Sequence, residues 1–379
     1  MQGGDGARPF RFFDNRQKYL LFVATSTEKR VTAERIGHEF EAIEPVPPAV
    51  HIFDAGVGDG TLLTRVLRQF HHRWPTLPLL ATGKEISRED IYLILARLAD
   101  RFFEHPRLVV VLTNLLYGEA PGLLPHEGER RQLLRWHEVP LSGTSAHDFD
   151  RQIRATLPFV HDAWRTQPSP ATGSPVSQTP AVLVLYRADE AFGLHDVIPR
   201  RGQPLARGYD LAIVSQPYRA RLPAEVKVRR VLAPLARALA PGGRMVTVQS
   251  TGRDPGMEII HRVWPDEQPF RTPRQLLMAE LWRQLGDASD GFARDEPHAA
   301  DAEFTFELVL DQYEIAGGIG SSALLAAWNA AVYVAQIDDD RLTAAMSQHA
   351  YIDATRQVVD AHSGLWFRNE SFVISRRQG

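Results

Sequence analysis

His51-Ile52-Phe53-Asp54-Ala55-Gly56-Val57-Gly58-Asp59-Gly60 is the stretch that decides the fold. An apolar run from Val50 to Asp54 gives way to three glycines at alternate positions, and Leu62, Leu63, Val66, Leu67 and Phe70 then recur at helical spacing. That order predicts a strand, a tight turn and a helix. Glycines in the turn allow backbone conformations closed to other residues and let a ligand approach without Cβ atoms in the way. The N–H groups of the helix start offer partial positive charge to a carboxylate or phosphate.

The same alternation continues outward. Leu77–Ala81 and Leu108–Leu112 read as further strands, the second buried on both faces. Ser87 with Asp90 three residues on resembles a capping box, and Ile91, Ile94, Leu95, Leu98 and Phe102 make the buried stripe of a second helix. The rhythm breaks at 118–180, which is rich in Pro, His, Arg and Gly and holds one interrupted helix, Phe149–Trp164, and an exposed loop, Gln167–Pro180. Strand signals resume at Val182–Tyr186 and Leu211–Val214. A helix over Val226–Leu239 is expected to stop at Pro241-Gly242-Gly243, followed by strand Met245–Gln249, helix Pro273–Leu285, strand Phe304–Leu310 and a last strand Ser371–Ser375. Strands alternating with helices predict an α/β fold: a Rossmann-like, mostly parallel sheet with helices on both faces. The expected division is an N-terminal helical lid segment (1–48), a core (49–117 and 206–379) and an insertion between core strands (118–205) forming a lid or acceptor wall.

Composition narrows the chemistry. The chain has 379 residues, 44% hydrophobic and 23% charged, enough for a large core. Lys+Arg 43 against Asp+Glu 46 gives −3, so bulk charge does not point to nucleic acid. With no cysteine there is no thiolate nucleophile, disulfide or cysteine-held metal. His126, His137, His147, His161 and His195 show no metal-ligand spacing, and no metal is expected. The start of the chain has no apolar signal segment, so the cytoplasm is the expected location. Ile315–Ile337 carries no charge, yet its glycines, serines, Asn329 and Gln336 and its acidic flanks Glu314 and Asp338 argue for a buried segment, or a small-residue face of a homodimer, and against a membrane span. Trp328 and Asn329 in it are candidates for a pocket wall. Asp14–Phe22, with Lys18 and Tyr19, is a candidate lid helix. Leu365–Glu370 reads as a docking edge, and Arg229-Arg230 as a solvated helix face.

A dinucleotide turn needs G-x-G-x-x-G, and position 61 is Thr. The pattern Asp54-x-Gly56-x-Gly58-x-Gly60, Gly83-Lys84-Glu85-Ile86-Ser87 after the second strand, and Leu239-Ala240-Pro241-Gly242-Gly243 before a later strand together resemble the class I, Rossmann-like S-adenosylmethionine-dependent methyltransferases. The resemblance runs from Asp54 to Gly243. It implies S-adenosylmethionine as cofactor, with Asp54, Ala55, Gly56, Gly58 and Gly60 around its amino-acid end, Glu85 on the ribose hydroxyls with Ile86 beside it, and an adenine contact from Asn114 or, if Val182–Tyr186 takes the third strand's role, Asp189. It also implies in-line methyl transfer without metal or covalent intermediate. Ser215-Gln216-Pro217-Tyr218 is similar to the family's Asn/Asp/Ser-Pro-Pro-Tyr acceptor segment, which makes Ser215, Gln216 and Tyr218 the catalytic candidates and an amine nitrogen one expected acceptor. Gln216 stands where that segment has its first proline. The expected partner is a small-molecule methyl acceptor. The rivals are an aminopropyl transferase of the same fold and a non-catalytic adenosine-ligand-binding subunit.

Overall fold

The computed structural model describes residues 16–169, 175–295, 299–310, 320–347 and 349–378. Asp14 and Asn15 of the candidate lid, 170–174 of the Gln167–Pro180 loop and 315–319 of the uncharged stretch lie outside them.

The strands are β1 Val50–Asp54, β2 Leu79–Lys84, β3 Leu108–Thr113, β4 Arg135–Leu141, β5 Thr166–Pro168, β6 Pro175–Ser177, β7 Ala181–Arg187, β8 Tyr209–Ser215, β9 Leu239–Ser250, β10 Phe292–Asp295, β11 Glu303–Glu307 and β12 Trp366–Arg376. The first four long helices are α1 Arg16–Thr25, α2 Glu28–Gly37, α3 Thr61–Arg73 and α4 Arg88–Glu104. The main sheet runs β10-β12-β9-β8-β1-β2-β3-β7-β4, with β11 paired to β12; β5 and β6 form a separate hairpin. Strands β3, β2, β1, β8 and β9 are mutually parallel, while β7 and β12 are antiparallel to their core neighbours. The chain leaves β1 towards β2 on one side and finds β8 on the other, so a crevice opens between β1 and β8 at their carboxyl ends.

Every residue of β1, β2 and β3 is buried, as their continuous apolar runs require. One face packs Leu63, Val66 and Phe70 of α3 and Ile91, Ile94 and Leu98 of α4. The other packs Val228, Leu232, Leu277 and Leu281. A third cluster joins Phe22 of α1 to the helices Pro255–Val263, Ser321–Val334 and Ala350–His362. The described part of the uncharged stretch is therefore internal core: Ala327 to Val334 are all buried, Trp328 stacks 5.8 Å from Trp264, and Asn329 donates to the Lys18 carbonyl at 3.0 Å. Among the described residues no helix is long and apolar enough to cross a membrane.

Several expectations are corrected. The expected strand Val182–Tyr186 is β7, and the insertion adds a strand not expected, β4, outside it at the edge of the sheet. β4 reads Arg-Trp-His-Glu-Val-Pro-Leu, an edge strand with exposed polar positions, which conceals it in the sequence. Phe149–Trp164 is two helices, Ala146–Arg154 and Leu157–Ala163. The helix expected over Val226–Leu239 spans Ala224–Arg237 with a π-helical turn at Val228–Leu232. It ends before Pro241-Gly242-Gly243, because Leu239 already pairs with Tyr209 in the sheet. Leu365–Glu370 is no docking edge: Phe367, Asn369 and Glu370 are buried, and Trp366–Glu370 pairs with β11.

Candidate active site

The turn after β1 is held from three sides. Gly58 and Gly60 have φ of +53° and +79°, the left-handed region that favours glycine. A Cβ on Gly60 would lie 2.5 Å from Ile94, so this glycine lets α3 approach α4. A Cβ on Gly58 would lie 2.9 Å from the Tyr19 hydroxyl. Tyr19 donates to Asp59 at 2.8 Å, and Arg97 pairs with the same carboxylate at 3.0 Å. Burial raises the Asp59 pKa, but bonds from Thr61 and Tyr19 and the charges of Lys29 and Arg97 together hold it below the usual range. Asp59 is thus the structural anchor of the turn, and α1 is tied to it.

Asp54 and Glu85 face this turn. Asp54 is buried, accepts from the Gly56 N–H at 3.2 Å through Oδ1, and leaves Oδ2 without a partner. Burial is the main reason its pKa rises to about 7. Glu85 accepts from Gly58 N–H at 3.0 Å, Ile86 N–H at 2.7 Å and Ser87 N–H at 2.8 Å. Burial, then the charge of Asp90, raises its pKa. The Trp164 indole donates to the Glu85 carbonyl at 2.9 Å and so fastens the insertion to the end of β2.

Gly56, Gly58, Glu85 and Ile86 line a cavity of about 190 Å³, whose other walls are Tyr19, Phe22 and Lys29 from the N-terminal segment, Tyr333, and Ser215–Pro217 after β8. A second cavity of about 580 Å³ adjoins it and shares Lys84, Ile86, Tyr117 and Pro217 with it. Tyr218, Asn114, Leu115, Leu222 and residues 175–177 of the insertion line the second cavity. The turn at Ser215–Tyr218 is the partition between them. Ala55 is buried and donates its N–H to Ile213 at 2.9 Å, which joins β1 to β8 beneath the crevice.

The structure places Ser215 and Tyr218 on different cavities, with Gln216 between them. Ser215 lines the first cavity, Tyr218 the second, and Gln216 the first, while Gln216 and Tyr218 meet on a third cavity of about 310 Å³ whose lining includes Glu303 and Glu370. Gln216 has φ +50°, whereas a proline is fixed near −65°. A Pro-Pro-Tyr segment could not make this turn, so the similarity to an amine-binding segment stops at Ser215 and Tyr218. The Pro217 carbonyl is occupied by the Tyr117 hydroxyl at 3.1 Å. Tyr218 has a buried hydroxyl with no partner in the wall between the second and third cavities, and burial, then the charge of Glu370, raises its pKa.

The two adenine candidates lie at opposite ends of the sheet. The Asn114 amide donates to the Ala163 and Thr179 carbonyls, each at 3.0 Å, and its oxygen accepts from Ala181 N–H at 2.8 Å. Both of its donors are thereby committed to fastening the insertion. Asp189 follows β7, which runs antiparallel to β3 with Tyr186 opposite Val109. It therefore lies at the amino-terminal edge of the parallel strands, away from the crevice, and pairs there with Arg187. Lys84, which the sequence reading gives no role of its own, ends the wholly buried strand β2 and lines both the first and the second cavity.

No family model matches the chain, and no curated protein matches it. Solved structures do. The chain is similar to a loganic acid methyltransferase with SAH (11% identity, 100% of this chain and 98% of that one, TM-score 0.34). It is similar to a geranyl diphosphate methyltransferase in complex with GPP and sinefungin (12%, 92% and 78%, TM-score 0.30) and to PKMT2 from Rickettsia typhi in complex with AdoHcy (12%, 91% and 52%, TM-score 0.30). The strand order and the parallel core of the sheet make the fold Rossmann-like.

Proposed function

We propose that this chain is an S-adenosylmethionine-dependent methyltransferase acting on a small-molecule acceptor. The observation that carries the reading is the meeting of Gly56, Gly58 and Glu85 around one cavity at the β1/β8 switch point. The donor set suits that nucleoside. The unpartnered Oδ2 of Asp54 offers a buried acceptor for an ammonium group. A carboxylate has about four lone-pair sites, and Glu85 uses three on backbone N–H groups, so exchanging the Gly58 bond frees two for a diol. Bound there, S-adenosylmethionine supplies an electrophilic methyl group. The chain's own part is to orient and to exclude water. Tyr19, Phe22 and Tyr333 close the outer side of the cavity, and Ser215–Pro217 separates it from the space where an acceptor sits. Positioning alone can supply several kcal/mol of barrier reduction.

Two features bear on the rivals. Among the described residues, none lining the cavity beyond Pro217 is Asp or Glu, so a polyamine would find no counter-charge there. A second cavity beside the first gives an acceptor a place that a non-catalytic binder would not need. Calorimetric titration with S-adenosylmethionine and S-adenosylhomocysteine tests the cofactor reading, and methyl turnover on a panel of small acids, alcohols and amines tests the enzyme. Binding of both nucleosides with turnover of an acceptor is expected. Binding without turnover on any class would favour the binder.

A further inference from the structure

Lys84 is a largely buried cation with no carboxylate at ion-pair distance among the described residues. Its residue is 8% exposed, and among the described residues its ammonium makes no hydrogen bond and no ion pair. It lies 4.5 Å from the centre of the Tyr117 ring, and Glu85 is the neighbouring charge. A ring face repays only part of the cost of taking an ammonium out of water. Burial accordingly lowers the Lys84 pKa.

The position of that charge is informative. Successive residues of a strand face opposite sides of the sheet. Glu85 reaches the glycine turn, while Leu80 and Thr82, which share the side of Lys84, pack with Phe53 and Tyr209 on the other face. Lys84 therefore stands on the acceptor side of the sheet, at the junction of the two cavities. The larger cavity also takes Arg130, Arg219, Lys227 and Arg230 into its lining. Arg130 is neutralised by Glu119 at 3.0 Å, and Lys227 donates to the Ala220 carbonyl at 2.8 Å and to Thr272. Leu115, Leu116, Leu222, Val226 and Val231 supply an apolar remainder.

We propose, building on the methyltransfer reading, that the acceptor is an anionic amphiphile: Lys84 pairs with its carboxylate or phosphate, and its apolar body occupies the cavity lined by Leu115, Leu222 and Val231. The cavity thus selects against cations, including the amines that Ser215-Gln216-Pro217-Tyr218 suggests by resemblance.

The test is calorimetric titration of octanoate, octyl phosphate, octanol and octylamine into the protein saturated with S-adenosylhomocysteine. At least one of octanoate and octyl phosphate is expected to bind at least tenfold more tightly than octanol, and octylamine more weakly than either; the tighter anion identifies the headgroup. Lys84→Met should reduce that anion to the affinity of octanol, and Lys84→Arg should keep the preference. The proposal is overturned if octanol or octylamine matches both anions, if neither anion binds, or if the preference survives in Lys84→Met. It is also overturned if Lys84→Met costs tenfold in S-adenosylhomocysteine affinity and leaves the anions untouched, since Lys84 would then serve the cofactor. The ligand series on the unaltered protein is decisive even if the variants do not fold. If S-adenosylhomocysteine itself fails to bind, the cofactor reading falls, and the anion preference is read on the protein alone.

Discussion

The Glu85 carboxylate accepts the Gly58 amide at 3.0 Å, joining the end of β2 to the turn after β1 across 27 positions of sequence. This bond closes the crevice that a nucleoside would open, and it identifies the group that must let go. Glu85→Ala is expected to weaken S-adenosylmethionine binding by about 1–3 kcal/mol through loss of charge-assisted hydrogen bonds. Calorimetry on Glu85→Ala and Glu85→Gln checks this; equal affinity in both variants and the parent would detach Glu85 from the cofactor.

Gly58→Val places a β-branched residue at φ +53° with its Cβ 2.9 Å from the Tyr19 hydroxyl. The strain should lower stability by about 1–2 kcal/mol, leaving a folded protein that no longer binds cofactor. Thermal unfolding and titration of the same sample separate the two effects. Parent-strength binding by the folded variant would count against the turn as the cofactor cradle.

Asp54 gives a pH signature. Its folded-state pKa is about 7 against an ordinary 3.8. Between these values the unfolded chain has released its proton and the folded one retains it, so stability falls as pH rises from about 4 to 7. Asp54→Asn should therefore raise the melting temperature at pH 8, with the difference vanishing below pH 4, while cofactor binding is lost. A melting temperature at pH 8 equal to or below the parent's would contradict the assigned burial cost.

Away from the site, Arg35 and Arg244 share the buried carboxylate of Glu39, at 2.6 and 2.7 Å. Arg35 also donates to Ser371 at 2.9 Å, tying α2 to β12. Arg244 keeps Asp295 at 2.7 Å, so Glu39→Gln leaves the buried Arg35 short of charge and should cost about 3 kcal/mol. Urea unfolding measures it; a loss below 1 kcal/mol would mean that water reaches the pair.

The parts of this fold that were legible in the sequence are those buried on both faces. β1, β2 and β3 are continuous apolar runs, and the glycine turn between β1 and α3 is fixed by backbone conformations that few other residues adopt. β4 was hidden because an edge strand carries polar residues on its open side. β7 was legible as a strand but not in direction, since a strand buried on both faces looks the same run either way; that ambiguity kept Asp189 in play. Asn114 sits where the resemblance implies, yet its donors are spent on Ala163 and Thr179, partners about 50 and 65 residues along the chain that no local pattern reveals. Lys84 stands out only in the packed fold, where it reaches the larger cavity, which has no carboxylate in its lining among the described residues.

The central claim is met most directly by titrating S-adenosylmethionine into the parent protein and Asp54→Asn side by side. The account predicts saturable one-to-one binding by the parent and none by the folded variant. No binding by the parent, or equal binding by both, would contradict it.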